Sequence, residues 1–283
     1  MNNTSRPKIS FEVFPPKKEE EFEGAYETLD ALAKLNPDFI SVTYGAGGSK
    51  SKKTVAIASY IQNTLHIPAL AHVTCVGNTK QDIDQVVIQL TNEHITQILA
   101  LRGDRPATMD DLQYQSREFT NASDLSTYLK NNYTFTIGGA CYPEKHFEAP
   151  SFESDITYLK EKVSTGLSFL ITQLFFDNEL FYRFLDQVHK QNIEIPIYPG
   201  IMPITSSKQL GTTVSLSGSS VPKALADIIA KYGDHPEDMK KAGIEFATAQ
   251  CQDLLAHGCD GLHLYSMNRA KVTTDIINGL TLK

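Results

Sequence analysis

Short apolar segments recur along the chain, and this repetition constrains the possible folds more than any other feature. Most of them begin about 30 residues apart, which is the length of one strand–helix–strand unit. The segments are ISFEVF (9–14), FISVTY (39–44), PALAHVTC (68–75), QILALRG (97–103), FTIGGACY (135–142), FLITQLFF (169–176), IPIYPGIM (195–202) and GLHLYS (261–266). The intervals carry apolar residues at helical spacing, as at Ala25, Leu29, Leu32 and Ala33. Eight strands that alternate with helices predict an α/β fold, the (β/α)8 TIM barrel, with a doubly wound open sheet as the alternative.

The interval before the last apolar segment, residues 203–260, is longer than the others and is predicted to hold extra helices. Its apolar pattern indicates two or three of them, around 206–211, 220–232 and 236–257. Neither a linker nor a low-complexity stretch divides the chain. We therefore predict one domain that covers residues 1–283.

Charge and cysteine content argue against several classes of function. The chain has 26 basic and 33 acidic residues and a net charge of −7, which disfavours binding to nucleic acid or to an anionic membrane surface. Its four cysteines form no C-x-x-C pair and no zinc-type cluster with histidine, so no metal site is predicted. An apolar signal segment and a long apolar run are both absent from the sequence. We expect a reduced, cytoplasmic protein.

Polar residues gather where most of the predicted strands end. In a TIM barrel the carboxyl ends of the strands meet at one face, and the active site lies there. The polar residues are Glu12, Thr43, Tyr44, His72, Thr74, Arg102, Asp104, Tyr142, Glu144, His146, Thr172, Gln173, Tyr265 and Arg269. Chance would place one or two such residues, whereas this number predicts a ligand site across the strand ends.

Glu12 is unexpected because it lies inside the apolar run ISFEVFPPKK (9–18). One interpretation is a structural carboxylate paired with an arginine of the barrel. The other is a general acid, because the apolar neighbours Phe11 and Phe14 would raise its pKa toward neutrality. A carboxyl group that is protonated near pH 7 can donate a proton to a leaving nitrogen or oxygen. His72 is either a core histidine bonded to a carbonyl or a partner in the same site.

Two segments with glycine follow predicted strands. YGAGGSKS (44–51) has neither the Walker A spacing nor G-x-G-x-x-G. It is either a tight loop or a place where a flat or phosphorylated ligand approaches the backbone. LRGD (101–104) contains either a structural pair of Arg102 and Asp104, or a site in which Gly103 admits a ligand and Asp104 faces the reacting centre.

Eight phrases, in order and over nearly the whole chain, resemble the methylenetetrahydrofolate reductase family in its bacterial, single-domain form. They are SFEVFPPK, SVTYGAGGS, AHVTC, ALRGD, YPEKH, ITQLFFD, PGIMPI and LHLYSMNRA. The resemblance implies a flavoprotein barrel with FAD across the strand ends. NADH or NADPH would reduce the flavin, and hydride would then pass to 5,10-methylenetetrahydrofolate, giving 5-methyltetrahydrofolate for one-carbon metabolism and methionine supply. It also implies a homo-oligomer.

The resemblance assigns roles to individual residues. Glu12 matches the family's general acid, which helps to open the folate's imidazolidine ring to an iminium. Asp104 matches the aspartate beside flavin and pterin, which tunes the flavin and favours the cationic iminium. Gln173 matches the glutamine that contacts the folate and, in its turn, the nicotinamide. On the substrate side, Gln209 and Arg269 also match, and Arg269 is expected to pair with the glutamate tail. The other flavin-site matches are Thr43, Tyr44, Ala46, His72, Arg102, Gly103, Ala122, Tyr142, His146, Ala149, Asp155 and Lys162.

The chain departs from the family pattern at three positions. Asn121 stands where an aromatic residue is frequent, Glu161 where a basic residue is common, and Thr213 where an aromatic residue often follows the Gln209 helix. Two other functions stay open on the same barrel. One is a pterin-dependent transferase that moves a one-carbon unit without redox chemistry, and the other is a flavin- or folate-binding protein without turnover.

Overall fold

A computed structural model describes residues 6–44 and 48–281 of the chain. Its strands are all parallel and form one sheet in the order β7-β6-β5-β4-β3-β2-β1-β9-β8, once they are numbered along the chain. They are β1 (Lys8–Val13), β2 (Phe39–Val42), β3 (Ala69–Thr74), β4 (Gln97–Leu101), β5 (Thr136–Cys141), β6 (Phe169–Thr172), β7 (Ile197–Tyr198), β8 (Gly200–Ile201) and β9 (Gly261–Tyr265). Seven of the eight predicted apolar segments supply one strand each, and the segment 195–202 supplies two.

The predicted seventh strand is divided at Pro199 into β7 and β8. β7 pairs with β6, with Ile197 opposite Leu170, whereas β8 pairs with β9, with Gly200 opposite His263. Proline has no backbone N–H, so Pro199 cannot donate to either neighbour, and its carbonyl accepts from the His263 N–H instead. The two short strands are continuous in the chain and link the two ends of the strand order. The prediction of a (β/α)8 barrel is therefore confirmed, and the open-sheet alternative is wrong.

Helices follow the strands and cover the outside of the barrel. They are α1 (Phe22–Ala33), α2 (Gly48–Ser59), α3 (Lys80–Asn92), α4 (Asp111–Gln115), α5 (Ala122–Asn132), α6 (Phe152–Ser164), α7 (Asn178–Lys190), α8 (Ser207–Ser217), α9 (Lys223–Tyr232), α10 (Pro236–Ala256) and α11 (Ala270–Asn278). A short 3₁₀ turn, Glu19–Glu21, precedes α1, and a π turn, Tyr60–Thr64, ends α2. The long interval before β9 thus contains three helices, where two or three were predicted. The first of them is longer than the predicted 206–211.

Side chains alternate in direction along each strand, and this separates the core into a layer inside the barrel and a layer between the barrel and the helices. Residues of one parity point into the barrel, where Phe39, Leu70, Leu99, Phe169, Ile171 and Tyr198 pack together. Residues of the other parity, such as Phe11 and Val42, are fully buried under the helices. The inner apolar cluster fills the barrel toward the strand starts. Inward-facing positions nearer the carboxyl ends include the polar residues with which a site can form, whereas the buried Ser10 and His263 lie at the level of this cluster.

Some predicted strands are too long. β6 ends at Thr172, and the last residues of FLITQLFF leave the sheet. Leu174 and Phe176 pack instead against Ile204 and Leu225 in a separate cluster beneath the extra helices. An apolar run alone cannot distinguish a strand from a buried connection, because both require burial.

Within 6–44 and 48–281, no helix is long and apolar enough to cross a membrane. In the same residues no group of three or more His, Cys, Asp or Glu could hold a metal ion. All four cysteines are free.

Candidate active site

A cavity of about 590 Å³ opens at the carboxyl ends of the strands, and we call it the main cavity. This volume lies in the usual range for a small-molecule site. The predicted site residues that line it are Glu12, Thr43, Tyr44, His72, Arg102, Gly103, Asp104, Tyr142, His146 and Gln173. Other lining residues are Thr74, Phe147, Thr172, Leu216, Ser217 and Tyr265. The register of the barrel thus brings residues from most strands to one cavity.

A second cavity of about 350 Å³, the side cavity, lies beside the first and extends between α5 and α6. The predicted site residues that line it are Arg102, Ala122, Tyr142, His146, Ala149, Asp155 and Lys162. Arg102, Tyr142 and His146 belong to both linings. The two cavities therefore form an elongated cleft, wide over the barrel and narrower between the helices.

Glu12 lies at the floor of the main cavity between two histidines. Its Oε2 atom is 3.5 Å from His72 Nε2 and 3.6 Å from His263 Nε2. The Glu12 side chain is 19% exposed, whereas His263 is fully buried. His72 Nε2 is buried and has no hydrogen-bond partner. The predicted arginine partner is replaced by two imidazoles, so the structural-carboxylate interpretation is wrong in its choice of partner.

The pKa of Glu12 differs from the prediction. Burial raises it, but the hydrogen bond with His263, the charges of His72 and His263 and a hydrogen bond with Ser41 outweigh burial, so the net shift is downward. Phe11 lies on the opposite face of β1 and Phe14 is 39% exposed, so neither supplies the apolar contact that was expected. The predicted upward shift is therefore wrong for the open cleft. Burial lowers the pKa of His72, which favours its neutral form.

His263 is the residue of this group that sequence reasoning missed. It lies on β9 opposite Ser10 in β1, and its ring stacks on Phe39 at 5.9 Å. Its Nδ1 atom is 2.8 Å from Ser10 Oγ. The sequence did contain a signal for it. Residues two positions apart in a strand point to the same face, so the assignment of Tyr265 to the cleft also placed His263 on the inner face of the barrel.

The segment after β4 forms the rim of the main cavity. Asp104 is exposed at this rim. Gly103 has φ +80°, and a Cβ atom there would lie 2.8 Å from Thr74 Cβ. Glycine is therefore required on both conformational and steric grounds. Arg102 does not pair with Asp104 but forms an ion pair with Glu148, which excludes the Arg102–Asp104 interpretation in this conformation.

The junction of the two cavities is aromatic and basic. His146 stacks on Phe147 at 4.6 Å and meets Tyr142 edge to face at 4.7 Å. The Arg102 guanidinium lies 6.0 Å from the Phe147 ring, which is itself largely exposed. Burial, followed by the charge of Arg102, lowers the pKa of His146. The exposed aromatic faces suit a flat ligand, and an anionic ligand would compete with Glu148 for the Arg102 guanidinium.

The side cavity has charges of both signs. Asp155 accepts a hydrogen bond from the His146 N–H at 2.9 Å, and Lys162 donates to the Ala140 carbonyl. Burial lowers the pKa of Lys162. Asn121 caps α5 by accepting hydrogen bonds from the N–H groups of residues 123 and 124. Glu161 also lines this cavity, so the departure from the family pattern lies where a charged ligand would pass.

The remaining predicted residues lie in different places. Gln173 lines the main cavity, and its Oε1 accepts a hydrogen bond from the Leu174 N–H. Gln209 and Arg269 do not line the main or the side cavity, but both contact Thr205. Thr205 Oγ1 donates to Gln209 Oε1 at 3.1 Å and accepts from the Arg269 guanidinium at 2.7 Å. Ala46 and most of the GAGGS loop lie outside the described residues.

The fold and the two cavities define a (β/α)8-barrel protein with an elongated cleft across its strand ends. A protein-family model described as methylenetetrahydrofolate reductase matches residues 1–281. The chain therefore belongs to the methylenetetrahydrofolate reductase family.

Named relatives agree with this assignment. The chain is 34% identical to 5,10-methylenetetrahydrofolate reductase of Escherichia coli K12 over 275 residues, which cover 97% of this chain and 91% of that protein. It is 37% identical to methylenetetrahydrofolate reductase (NADH) 1 of Arabidopsis thaliana over 285 residues, covering 97% of this chain and 48% of the plant protein. The chain thus spans about half the length of its plant relatives and most of the length of the bacterial ones.

Solved structures support the fold. An uncharacterised protein from Clostridium thermocellum, described as binding two copies of 5-methyl-5,6,7,8-tetrahydrofolic acid, superposes with a TM-score of 0.67 at 18% identity. The alignment covers 98% of this chain and 94% of that one. Dihydropteroate synthase from Xanthomonas albilineans superposes with a TM-score of 0.54 at 12% identity, with 97% and 91% coverage. At these identities the likeness concerns the barrel alone.

Proposed function

We propose that this protein reduces 5,10-methylenetetrahydrofolate to 5-methyltetrahydrofolate with NADH or NADPH, using FAD. The observation that carries the proposal is the position of Glu12, a carboxylate with two imidazoles within 3.6 Å, at the floor of a cleft wide enough for a pterin. The names of the relatives and the folate described for the Clostridium protein support the choice of substrate. Cytoplasmic location stays a prediction from the sequence, and a homo-oligomeric state stays a prediction of the resemblance.

The residues of the cleft fit a flavin dinucleotide. A flat ring suits the main cavity, where His72 Nε2 is buried without a partner and Gly103 allows close approach to the backbone. A pyrophosphate would replace Glu148 as the partner of Arg102 and would lie near the positive N-terminus of α5. Lys162 adds a cationic side chain to the narrower part.

The chain's own residues supply the polar chemistry of the reaction. A bound flavin would accept hydride from the reduced nicotinamide and return it to the folate methylene carbon. Glu12 donates a proton to the imidazolidine nitrogen whose bond to that carbon breaks, which leaves a cationic iminium. Asp104, at the rim, stabilises the cation by its negative charge. A ring that covers Glu12 removes its remaining water, which raises its pKa and favours the donor form.

One cavity serves both substrates in turn. The main cavity is the larger of the two cavities that form the cleft, and Gln173 lies at its wall. Two flat rings cannot stack on one flavin face together, so NADH binds and leaves before the folate enters. Double-reciprocal plots at several folate concentrations should be parallel, as in a ping-pong mechanism. Intersecting plots would contradict a shared site.

Anaerobic rapid mixing tests the proposed function. The purified protein with its flavin should lose flavin absorbance when NADH is added, and the reduced protein should regain it when 5,10-methylenetetrahydrofolate is added. A protein that transfers a one-carbon unit without flavin reduction would be the pterin-dependent transferase. A flavin that stays oxidised with both NADH and NADPH would indicate a binding protein.

A further inference from the structure

We propose that His263 is a positioning residue that stores, next to the carboxylate, the proton that Glu12 delivers to the folate. The inference rests on the proposed function and deepens it. His263 is fully buried and does not line the main cavity, so it cannot touch a ligand there and acts only through Glu12. His72, by contrast, lies in the cavity wall.

The hydrogen bonds around His263 determine which nitrogen faces Glu12. The Ser10 hydroxyl carries one proton, and the Leu262 carbonyl accepts it at 3.1 Å. With the hydroxyl proton on the carbonyl side, Ser10 Oγ accepts from His263 Nδ1–H across the 2.8 Å that separate the two atoms, and this is the tautomer we infer. In the neutral ring this leaves a lone pair on Nε2, which faces Glu12 Oε2 at 3.6 Å and Ser41 Oγ at 3.4 Å. Nε2 is therefore the one basic atom of the ring that can share a proton with the carboxylate.

The groups that face this pair limit where the proton can go. Ser41 from β2, His72 from β3 and Tyr265 from β9 are its polar neighbours besides Ser10. Burial, followed by the charge of Glu12, raises the pKa of the Tyr265 hydroxyl well above its ordinary value, so Tyr265 stays neutral. Burial and the charge of His263 lower the pKa of His72, whose Nε2 atom has no hydrogen-bond partner, so His72 is the histidine of the two that stays neutral. Glu12 and His263 are thus the two groups that share the proton.

The transfer can be written with every proton accounted for. Before reaction the pair holds one proton, as carboxylate and imidazolium. The Nε2–H bond of His263 breaks as an O–H bond forms on Glu12, and the Glu12 O–H bond breaks as an N–H bond forms on the leaving folate nitrogen. His263 ends neutral and Glu12 ends as a carboxylate. No electrons move in this step, and water in the opened cleft resupplies the proton through Glu12.

The test is the pH dependence of flavin reoxidation by 5,10-methylenetetrahydrofolate in His263→Gln. Glu12 and His263 together hold their shared proton more tightly than Glu12 would alone. Without His263 the proton is therefore lost at a lower pH, and the alkaline limb of the rate profile must move to lower pH. We expect a shift of about one unit or more, and a rate about tenfold lower at a fixed alkaline pH. Flavin reduction by NADH should keep its wild-type rate and profile. A lower rate with an unmoved limb would indicate a merely structural role and overturn the inference.

Ser10→Ala is the second variant, because it retains the imidazole and removes only the acceptor at Nδ1. It should move the alkaline limb in the same direction by a smaller amount. A readout independent of turnover is the nitrogen-15 NMR spectrum of labelled histidine, recorded at a pH above the alkaline limb, where the pair has lost its proton. It should show His263 as the neutral Nδ1–H tautomer in the wild type and a mixture of tautomers in Ser10→Ala. An Nε2–H tautomer in the wild type would overturn the inference, whereas failure of the wild-type protein to reoxidise with the folate would overturn the proposed function as well.

Discussion

Replacement of Glu12 by glutamine separates the two half-reactions. The amide keeps the size of the side chain but cannot donate an acidic proton to the folate nitrogen. General acid catalysis usually contributes ~10²-fold or more, so reoxidation of the flavin by the folate should slow by at least that factor, or about 2.7 kcal/mol of activation free energy. Reduction of the flavin by NADH involves no acid at this position and should stay within about twofold of the wild type.

The same substitution changes the pH dependence of stability. The pKa of Glu12 is lowered in the folded protein from its ordinary value of 4.5, so the ionised carboxylate stabilises the fold above that pH. This stabilisation is lost as the pH falls below 4.5 through the lower folded-state pKa. Glu12→Gln lacks a titrating group there, so its free energy of unfolding should fall less steeply in that acid range than that of the wild type.

Stopped-flow absorbance of the flavin measures both half-reactions, and denaturant unfolding at several pH values measures stability. Glu245→Gln is the matched control, because it makes the same chemical change at an exposed position of α10. It should leave both half-reactions unchanged. Equal slowing of the two half-reactions in Glu12→Gln would refute the acid role and indicate that the carboxylate serves only to hold the barrel floor.

Three further substitutions test other parts of the cleft. Asp104→Asn removes a negative charge from the rim, so the reduction potential of the bound flavin should rise and folate reduction should weaken; an unchanged potential in a dye titration would place Asp104 away from the ring. Glu161→Lys should tighten flavin binding by fluorescence titration, because it replaces an acidic group in the side cavity, and unchanged affinity would exclude contact with the phosphates. Gly200→Ala should lower the melting temperature by an amount equivalent to about 1–3 kcal/mol, because its Cβ atom would lie 2.4 Å from the Thr172 carbonyl and 2.7 Å from the Tyr265 hydroxyl. Gly24→Ala in α1 is the control: the space around Gly24 is open, so the melting temperature should not fall.

Much of the site could be predicted because the position of a residue within its own strand determines whether its side chain reaches the cleft. Strand residues alternate in direction, and the carboxyl ends of parallel strands meet at one face of a barrel. A polar residue at the end of an apolar run, such as Glu12, His72 or Gln173, could therefore be assigned to the cleft without coordinates. The limit of this reasoning is seen at Gln209 and Arg269, which the resemblance assigns to the substrate side and which meet at Thr205.

The sequence by itself determined the eight strand positions, the alternation with helices and the polar character of the strand ends, because periodicity and burial act over a few residues. Only the tertiary structure decided that Pro199 divides the predicted seventh strand into β7, which pairs with β6, and β8, which pairs with β9. The reason is that these partner strands come from distant parts of the chain and meet only when the barrel closes. The tertiary structure alone brought His263 to Ser10, 253 residues away in the chain, and so placed a second imidazole beside Glu12. The downward shift of the Glu12 pKa followed from this placement of His263, because the pKa of a carboxyl group depends on the groups that surround it in space and not on its neighbours in sequence.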